Sequence, residues 1–191
     1  MVGRFLDSLL GRSKPIKPRR DNLFALSNAY VTLTSALGMM PGERAGVCFR
    51  PPEAAAFARL KPDISRLLAI SAKETESQAE MRTDSYGFLW AVLVDPEFED
   101  LLATTHVVTQ MLEDEGFGES LLAAMFKFTV DQRPVYLVYN YKRGTFYPFV
   151  PLPGEQRRDN AYELRLRAAL DKDLPMEPDL ERWYPLWGAP V

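Results

Sequence analysis

The chain has 191 residues, of which 47% are hydrophobic and 26% are charged, and its formal net charge is −3. This balance is typical of a globular protein and excludes a disordered chain. Cys48 is the single cysteine and His106 the single histidine, which excludes an internal disulfide and a zinc site built from cysteine and histidine. We therefore predict a protein of the reducing cytoplasm that carries no metal and no other cofactor.

Charge is distributed unevenly along the chain. Residues 1–20 contain six basic side chains and one acidic side chain, a net charge of +5, which leaves −8 on residues 21–191. Because phosphate binding needs a positive surface, the acidic body argues against nucleic acid as a partner. The longest apolar run, residues 88–94, is far shorter than the roughly 18 residues that span a membrane, and no signal-peptide cleavage site follows the first apolar residues.

The first predicted element is an amphipathic helix over residues 3–11, because four apolar side chains there fall on one stripe. Pro15 and Pro18 interrupt helix, so residues 12–20 are predicted to be an extended basic linker. The candidate residues for contact with a membrane or a partner are Phe5, Leu6, Leu9, Leu10, Arg12 and Lys14. Docking of this helix on the body or on a second subunit is the alternative. Since so short a helix is marginal in water, we expect any membrane contact to be weak and reversible.

The next segment is predicted to contain two strands and a helix. Residues 29–37 are rich in tyrosine, valine, threonine and leucine, which is typical of a strand. Residues 38–42 read as a turn, and residues 44–50 as a second strand. A helix is expected to begin at Pro52 or the residue after it and to run to about residue 72, with a kink at Pro62.

A hairpin and a long helix are predicted in the middle of the chain. Residues 80–83 and 88–94 have strand patterns on either side of a turn, and a helix is expected from residue 96 to residue 115. His106 lies in this helix, where a structural or surface role is the favoured interpretation. Cys48 lies in a predicted strand, and a buried inert thiol is favoured over a catalytic pair with His106.

The last third is predicted to form three strands, a helix and a tail. The strands cover residues 121–130, 134–141 and 145–150, and the second is apolar on both faces, which favours a place inside the sheet. A helix capped by Asp159 or Asn160 follows and runs to about residue 170. Residues 174–191 are rich in proline and aromatic residues, and we expect this tail to wrap around the body, because its rings would be costly to leave in water.

These elements predict an α+β protein in which a mostly antiparallel sheet is covered by helices. Residues 1–20 form the amphipathic helix and its linker, and residues 21–191 are expected to form a single α+β domain with an aromatic carboxyl-terminal tail. The recurrence of two strands followed by a helix suggests a weak internal duplication. By analogy of fold alone, the layout is also similar to that of type III secretion chaperones.

A small basic patch is a second candidate site. Residues 141–149 interleave basic and aromatic side chains, a pattern found in proteins that bind single strands of nucleic acid. The acidic body instead favours a hairpin with a basic tip and aromatic core residues. An anion or a partner protein is the expected ligand of the patch, whose candidate residues are Lys142, Arg143, Arg157 and Arg158.

Six segments, in order along the chain, resemble the PspA-associated protein family called PspAB. They are FLDSLLGRSKP, SYGFLW, EGFG, YKRGTFYPF, RDNA and WYPLWGAP, which begin at residues 5, 85, 115, 141, 158 and 183. The family is encoded near PspA, a membrane-binding phage-shock protein, so the resemblance implies a place in the response to envelope stress. It implies no enzymatic activity and no catalytic residue.

The resemblance and the lack of a catalytic constellation together favour a non-enzymatic adaptor or regulatory protein associated with PspA. We expect it in the bacterial cytoplasm, with a weak peripheral contact at the inner face of the membrane. A homodimer is left open. The alternatives are a dimer similar to secretion chaperones that binds a protein segment, and a small enzyme whose pocket the sequence does not reveal.

Overall fold

The structure is a computed structural model that describes residues 21–50, 62, 65, 66, 69, 77–154 and 156–191. The predicted helix over residues 3–11 and its basic linker lie outside the described residues. So does most of the helix predicted to end near residue 72, of which the described residues 62, 65, 66 and 69 are helical.

The described residues form one six-stranded antiparallel sheet flanked by helices. The strands are β1 (Met40–Phe49), β2 (Gln78–Thr83), β3 (Leu89–Val94), β4 (Leu121–Val130), β5 (Arg133–Asn140) and β6 (Thr145–Phe149). Their order in the sheet is β2-β3-β1-β4-β5-β6, and each neighbouring pair is antiparallel. The α+β class and the mostly antiparallel sheet are thus confirmed. Strands β1 and β4 lie at the centre, while β5 is inside the sheet, as its apolar faces predicted.

The described helices are short α1 (Ala25–Asn28), long α2 (Phe98–Asp114) and α3 (Asn160–Leu170). A 3-10 turn precedes α1 and a π-helical turn, Thr32–Ala36, follows it. Helix α3 begins at an Asp159 cap, whose side chain accepts a hydrogen bond from Tyr162 N at 3.0 Å. The hairpin, the long helix, the last three strands and the capped helix were therefore all predicted correctly, to within a few residues.

The strand predicted at residues 29–37 is wrong, because this segment is helical. Leu26, Ala29 and Leu33 are fully buried, and their spacing of three and four residues places them on one helical stripe. Val31, one of the β-branched residues that suggested a strand, is 69% exposed. Burial of the stripe outweighs the weak local preference of these residues. Residues 21–50 therefore contain one strand, β1, instead of the two that were predicted. The first of the two predicted strand–strand–helix units is thus not formed.

The sheet is covered on both faces. The helices cover one face, where the predicted core side of α2 is buried: Leu101, Thr105, Val108 and Leu112. The carboxyl-terminal tail covers the other face, where Trp183 and Val191 pack in one cluster with Trp90 and Val92 of β3. The prediction that the aromatic tail wraps the body is confirmed. The tail covers the second apolar face of β3 and β5, so both strands are buried on two sides.

Candidate functional site

A cavity of about 470 Å³ lies on the tail-covered face of the sheet. Its floor follows from the register of four strands, which places Trp90, Cys48, Ala123 and Asn140 side by side on β3, β1, β4 and β5. Cys48 and Ala123 are small, whereas their neighbours across the sheet are larger. Because the small side chains cannot fill the space beneath the tail, a hollow remains in the middle of this row. Its volume is in the range of about 300–1,000 Å³ that is usual for small-molecule sites.

The turn between β2 and β3 forms one wall of the cavity, and Asp84 organises this turn. Its Oδ1 accepts hydrogen bonds from Tyr86 N at 2.9 Å and Phe88 N at 3.0 Å. Its Oδ2 accepts a hydrogen bond from Trp90 Nε1 at 2.9 Å. Gly87 completes the turn with φ +85°, a conformation that residues with a Cβ rarely adopt. One carboxylate therefore holds both the turn and the indole ring on the cavity floor.

The tail forms a second wall through Tyr184, Leu186 and Trp187. Tyr147 of β6 is buried and donates a hydrogen bond from its hydroxyl to Tyr184 O at 3.0 Å. Its ring stacks on Trp183, with centroids 6.3 Å apart. Burial raises the pKa of Tyr147 far above its ordinary value, so the hydroxyl stays protonated and remains a donor. This bond ties the tail wall to the edge strand.

Arg158 anchors the tail a second time. Its Nε pairs with Glu163 Oε2 at 2.7 Å, and its other nitrogens donate to Trp183 O at 2.6 Å and to Pro148 O at 3.1 Å. Glu163 also accepts a hydrogen bond from Val150 N at 2.7 Å. Burial raises the pKa of Glu163, while the hydrogen bonds from Arg158 and Val150 oppose that shift. The guanidinium thus joins helix α3, strand β6 and the tail.

The four residues of the predicted basic patch have different surroundings. Arg158 is the anchor just described, and Arg143 Nε lies 2.5 Å from Glu177 Oε2, so both guanidinium groups face a carboxylate. Lys142 is half-buried. Its pKa is lowered, mainly by burial and to a smaller extent by the charge of Arg50. Arg157 is exposed. The patch as a site for an anion or a partner stays a prediction, as does the contact role of the helix predicted over residues 3–11, which lie outside the described residues.

Cys48 and His106 lie on opposite faces of the sheet. Cys48 is in the cavity floor, whereas His106 is on α2, with its ring centroid 4.8 Å from that of Phe24. Burial, together with the charge of Asp84, raises the pKa of the Cys48 thiol well above its ordinary value. A Cys–His catalytic pair is therefore not assembled. Within the described ranges, no three histidine, cysteine, aspartate or glutamate side chains are grouped closely enough to hold a metal ion.

The cavity itself was missed by reasoning from the sequence. The aromatic tail was recognised, but nothing in the local pattern shows that Cys48 and Ala123 are neighbours across two strands. Only the register of β1 and β4 brings the two small residues together.

As for membranes, the helices of the described part of the chain are all too short or too polar to cross a bilayer.

Among known proteins, this chain matches one family. No curated protein and no solved structure shows a significant match to this chain. The family model described as PspA associated protein B matches residues 3–191, nearly the whole length. The chain therefore belongs to the PspAB family, whose name records an association with PspA.

Proposed function

We propose that this protein is a non-enzymatic adaptor or regulator that acts on PspA in the bacterial response to envelope stress. The observation that carries the proposal is membership of the PspAB family over residues 3–191. The separation of Cys48 and His106 by the sheet supports a role without nucleophilic catalysis, since these two side chains were the candidates for such a pair. In this role the protein works by binding.

The protein acts in the cytoplasm and reaches the inner face of the membrane through weak contacts. The acidic body repels anionic lipid, whereas the +5 charge of residues 1–20 attracts it. A short amphipathic helix gives only a marginal anchor by itself. Simultaneous binding to membrane-bound PspA would raise the effective concentration of the helix at the surface and strengthen the contact.

Association with PspA is tested by mixing the two purified proteins and measuring the complex by size-exclusion chromatography with light scattering. We expect a complex with the full chain. The same run reports whether the protein alone is a monomer or a homodimer. Absence of a complex at micromolar concentrations of both proteins would overturn the proposal.

Membrane contact by the predicted amino-terminal helix is tested separately with vesicles of anionic lipid in a flotation assay. The variant Leu6→Ser/Leu10→Ser removes two residues of the apolar stripe, and Asp7→Glu/Ser8→Thr is the matched control on the other side, with the net charge unchanged. We expect co-flotation of the full chain to need PspA and to weaken only in the leucine variant. Equal flotation of both variants would show that the apolar stripe does not contact the membrane.

A further inference from the structure

Aromatic side chains make up a large share of the described walls of the cavity. Six rings line it, from the β2–β3 turn, the sheet and the tail: Tyr86, Phe88, Trp90, Tyr147, Tyr184 and Trp187. The face of an aromatic ring carries negative partial charge, so several rings around one space attract a cation. Tyr86 is 50% exposed at the rim, which leaves one of these rings open to solvent and to an incoming ligand.

The charge on the cavity wall also favours a cation. Asp84 is the one carboxylate among the described lining residues, and they include no lysine, arginine or histidine. The negative charge of Asp84 reaches the floor, since it adds to burial in raising the pKa of Cys48. The charge of Arg158 acts on Tyr147, and Glu163 pairs with Arg158 at 2.7 Å. Among the described lining residues, an anionic ligand would therefore meet the negative charge of Asp84 and no basic side chain.

The hydrogen bonds within the cavity wall indicate which kind of cation fits. Asp84 already accepts from Tyr86 N, Phe88 N and Trp90 Nε1, and the Tyr147 hydroxyl already donates to the tail. A primary ammonium group needs several acceptors to replace its water, and the carboxylate of Asp84 already accepts three hydrogen bonds. A quaternary ammonium group donates no hydrogen bond and is stabilised by ring faces and by a nearby negative charge alone.

We propose that this cavity is a binding site for an organic cation, a quaternary ammonium group joined to an apolar body of about the size of a phenylalkyl chain. The cationic group lies among the rings near Asp84, and the apolar body fills the hollow above Cys48 and Ala123. This site is independent of the association with PspA, which rests on the family. Either can fail without the other.

The charge preference is tested with three compounds that share one phenylpropyl body: phenylpropyltrimethylammonium, 3-phenylpropan-1-ol and 3-phenylpropanesulfonate. Binding to the full chain is measured by calorimetry and by the fluorescence of its three tryptophans, of which Trp90 and Trp187 line the cavity. We expect the cation to bind about tenfold more tightly than the alcohol, and the sulfonate most weakly. Equal affinities, tighter binding of the sulfonate, or no binding of the cation at millimolar concentration would overturn the proposal.

Two pairs of variants locate the site. Asp84→Asn removes the charge from the cavity, and Asp173→Asn removes one charge at an exposed position. Ala123→Leu fills the hollow, and Ala168→Leu adds the same side chain to the exposed surface of α3. We expect Asp84→Asn to weaken the cation about tenfold more than it weakens the alcohol, and Ala123→Leu to abolish binding of both. Unchanged binding in a folded Ala123→Leu variant would place the ligand elsewhere and overturn the proposal.

Two further probes test whether the ammonium group belongs to a protein side chain or to a small molecule, and whether it needs an apolar body. A trimethyllysine peptide titrated beside the free compound separates a protein-borne group from a small molecule, and binding of either supports the site. Choline tests the need for an apolar body. If choline bound as tightly as phenylpropyltrimethylammonium, the hollow would be unused and the proposal would be wrong.

Discussion

The Arg158 guanidinium and the Glu163 carboxylate form an ion pair of 2.7 Å whose side chains are only 16% and 2% exposed. Arg158 also donates to Trp183 O, the backbone carbonyl that directly precedes the wall of the cavity. Burying two charges is costly unless both are paired and hydrogen-bonded. Here the further contacts with Pro148 and Val150 satisfy the remaining groups. The ion pair therefore positions the tail on the sheet.

Replacing Arg158 should release the tail and destabilise the fold. We expect Arg158→Gln to lower the free energy of unfolding by about 3–5 kcal/mol, because it leaves Glu163 buried without its partner. Urea unfolding measures the loss, and the emission of Trp183 should shift to longer wavelength. The control is Arg182→Gln, whose pair with Asp179 is 40% and 42% exposed. That variant should lose about 1 kcal/mol or less. Similar small losses in both would refute the anchoring role.

The pH dependence of stability should carry a component from Glu163. Burial raises its pKa in the folded protein above the ordinary value of 4.5. The folded state therefore holds the proton more tightly than the unfolded state. The resulting stability is present below the unfolded pKa and is lost as pH rises through the folded pKa. Glu163→Gln cannot titrate, so the wild type should lose stability relative to this variant as pH rises from about 4 toward neutrality. Urea unfolding across this range measures the difference, and a constant difference would contradict the raised pKa.

Cys48 should react slowly with thiol reagents in the folded protein. Its raised pKa leaves little thiolate, and the thiolate is the reactive form. At pH 8 we expect an aromatic disulfide reagent to modify native Cys48 at least about a hundredfold more slowly than the urea-unfolded chain. Since Cys48 is the single cysteine, the reaction reports this position alone. Equal rates in the two states would mean that the cavity floor is open to solvent.

Gly46 and Val191 should be energetically coupled. A Cβ atom at Gly46 would lie 2.8 Å from Val191 Cγ2 and 3.1 Å from Trp90 Cε3. We expect Gly46→Ala to cost about 1–3 kcal/mol of unfolding free energy by overpacking. Val191→Ala removes the nearer atom, so Gly46→Ala should cost less in that background. A double-mutant cycle in urea measures the coupling, and additive effects would show that the tail does not rest on β1 there.

Much of the fold was predictable because its signals are local. The long helix α2 shows a clear apolar stripe, and β4 alternates apolar with more polar residues before the tight turn into β5. The segment after residue 28 was not predictable in this way, since Val31 and its β-branched neighbours favour a strand locally. There the burial of Leu33 against the sheet decided in favour of helix.

The sequence by itself determined the α+β class, the family, the wrapping of the aromatic tail and the absence of a disulfide. Each of these depends on residue types and on periodicity within short stretches. Only the tertiary structure decided the cavity, the one carboxylate among its described lining residues and the Arg158 anchor. The reason is physical: Cys48 and Ala123 are 75 residues apart and meet only through the register of β1 and β4. Strand register is a cooperative property of the whole sheet, so the site that depends on it cannot be read from any one segment.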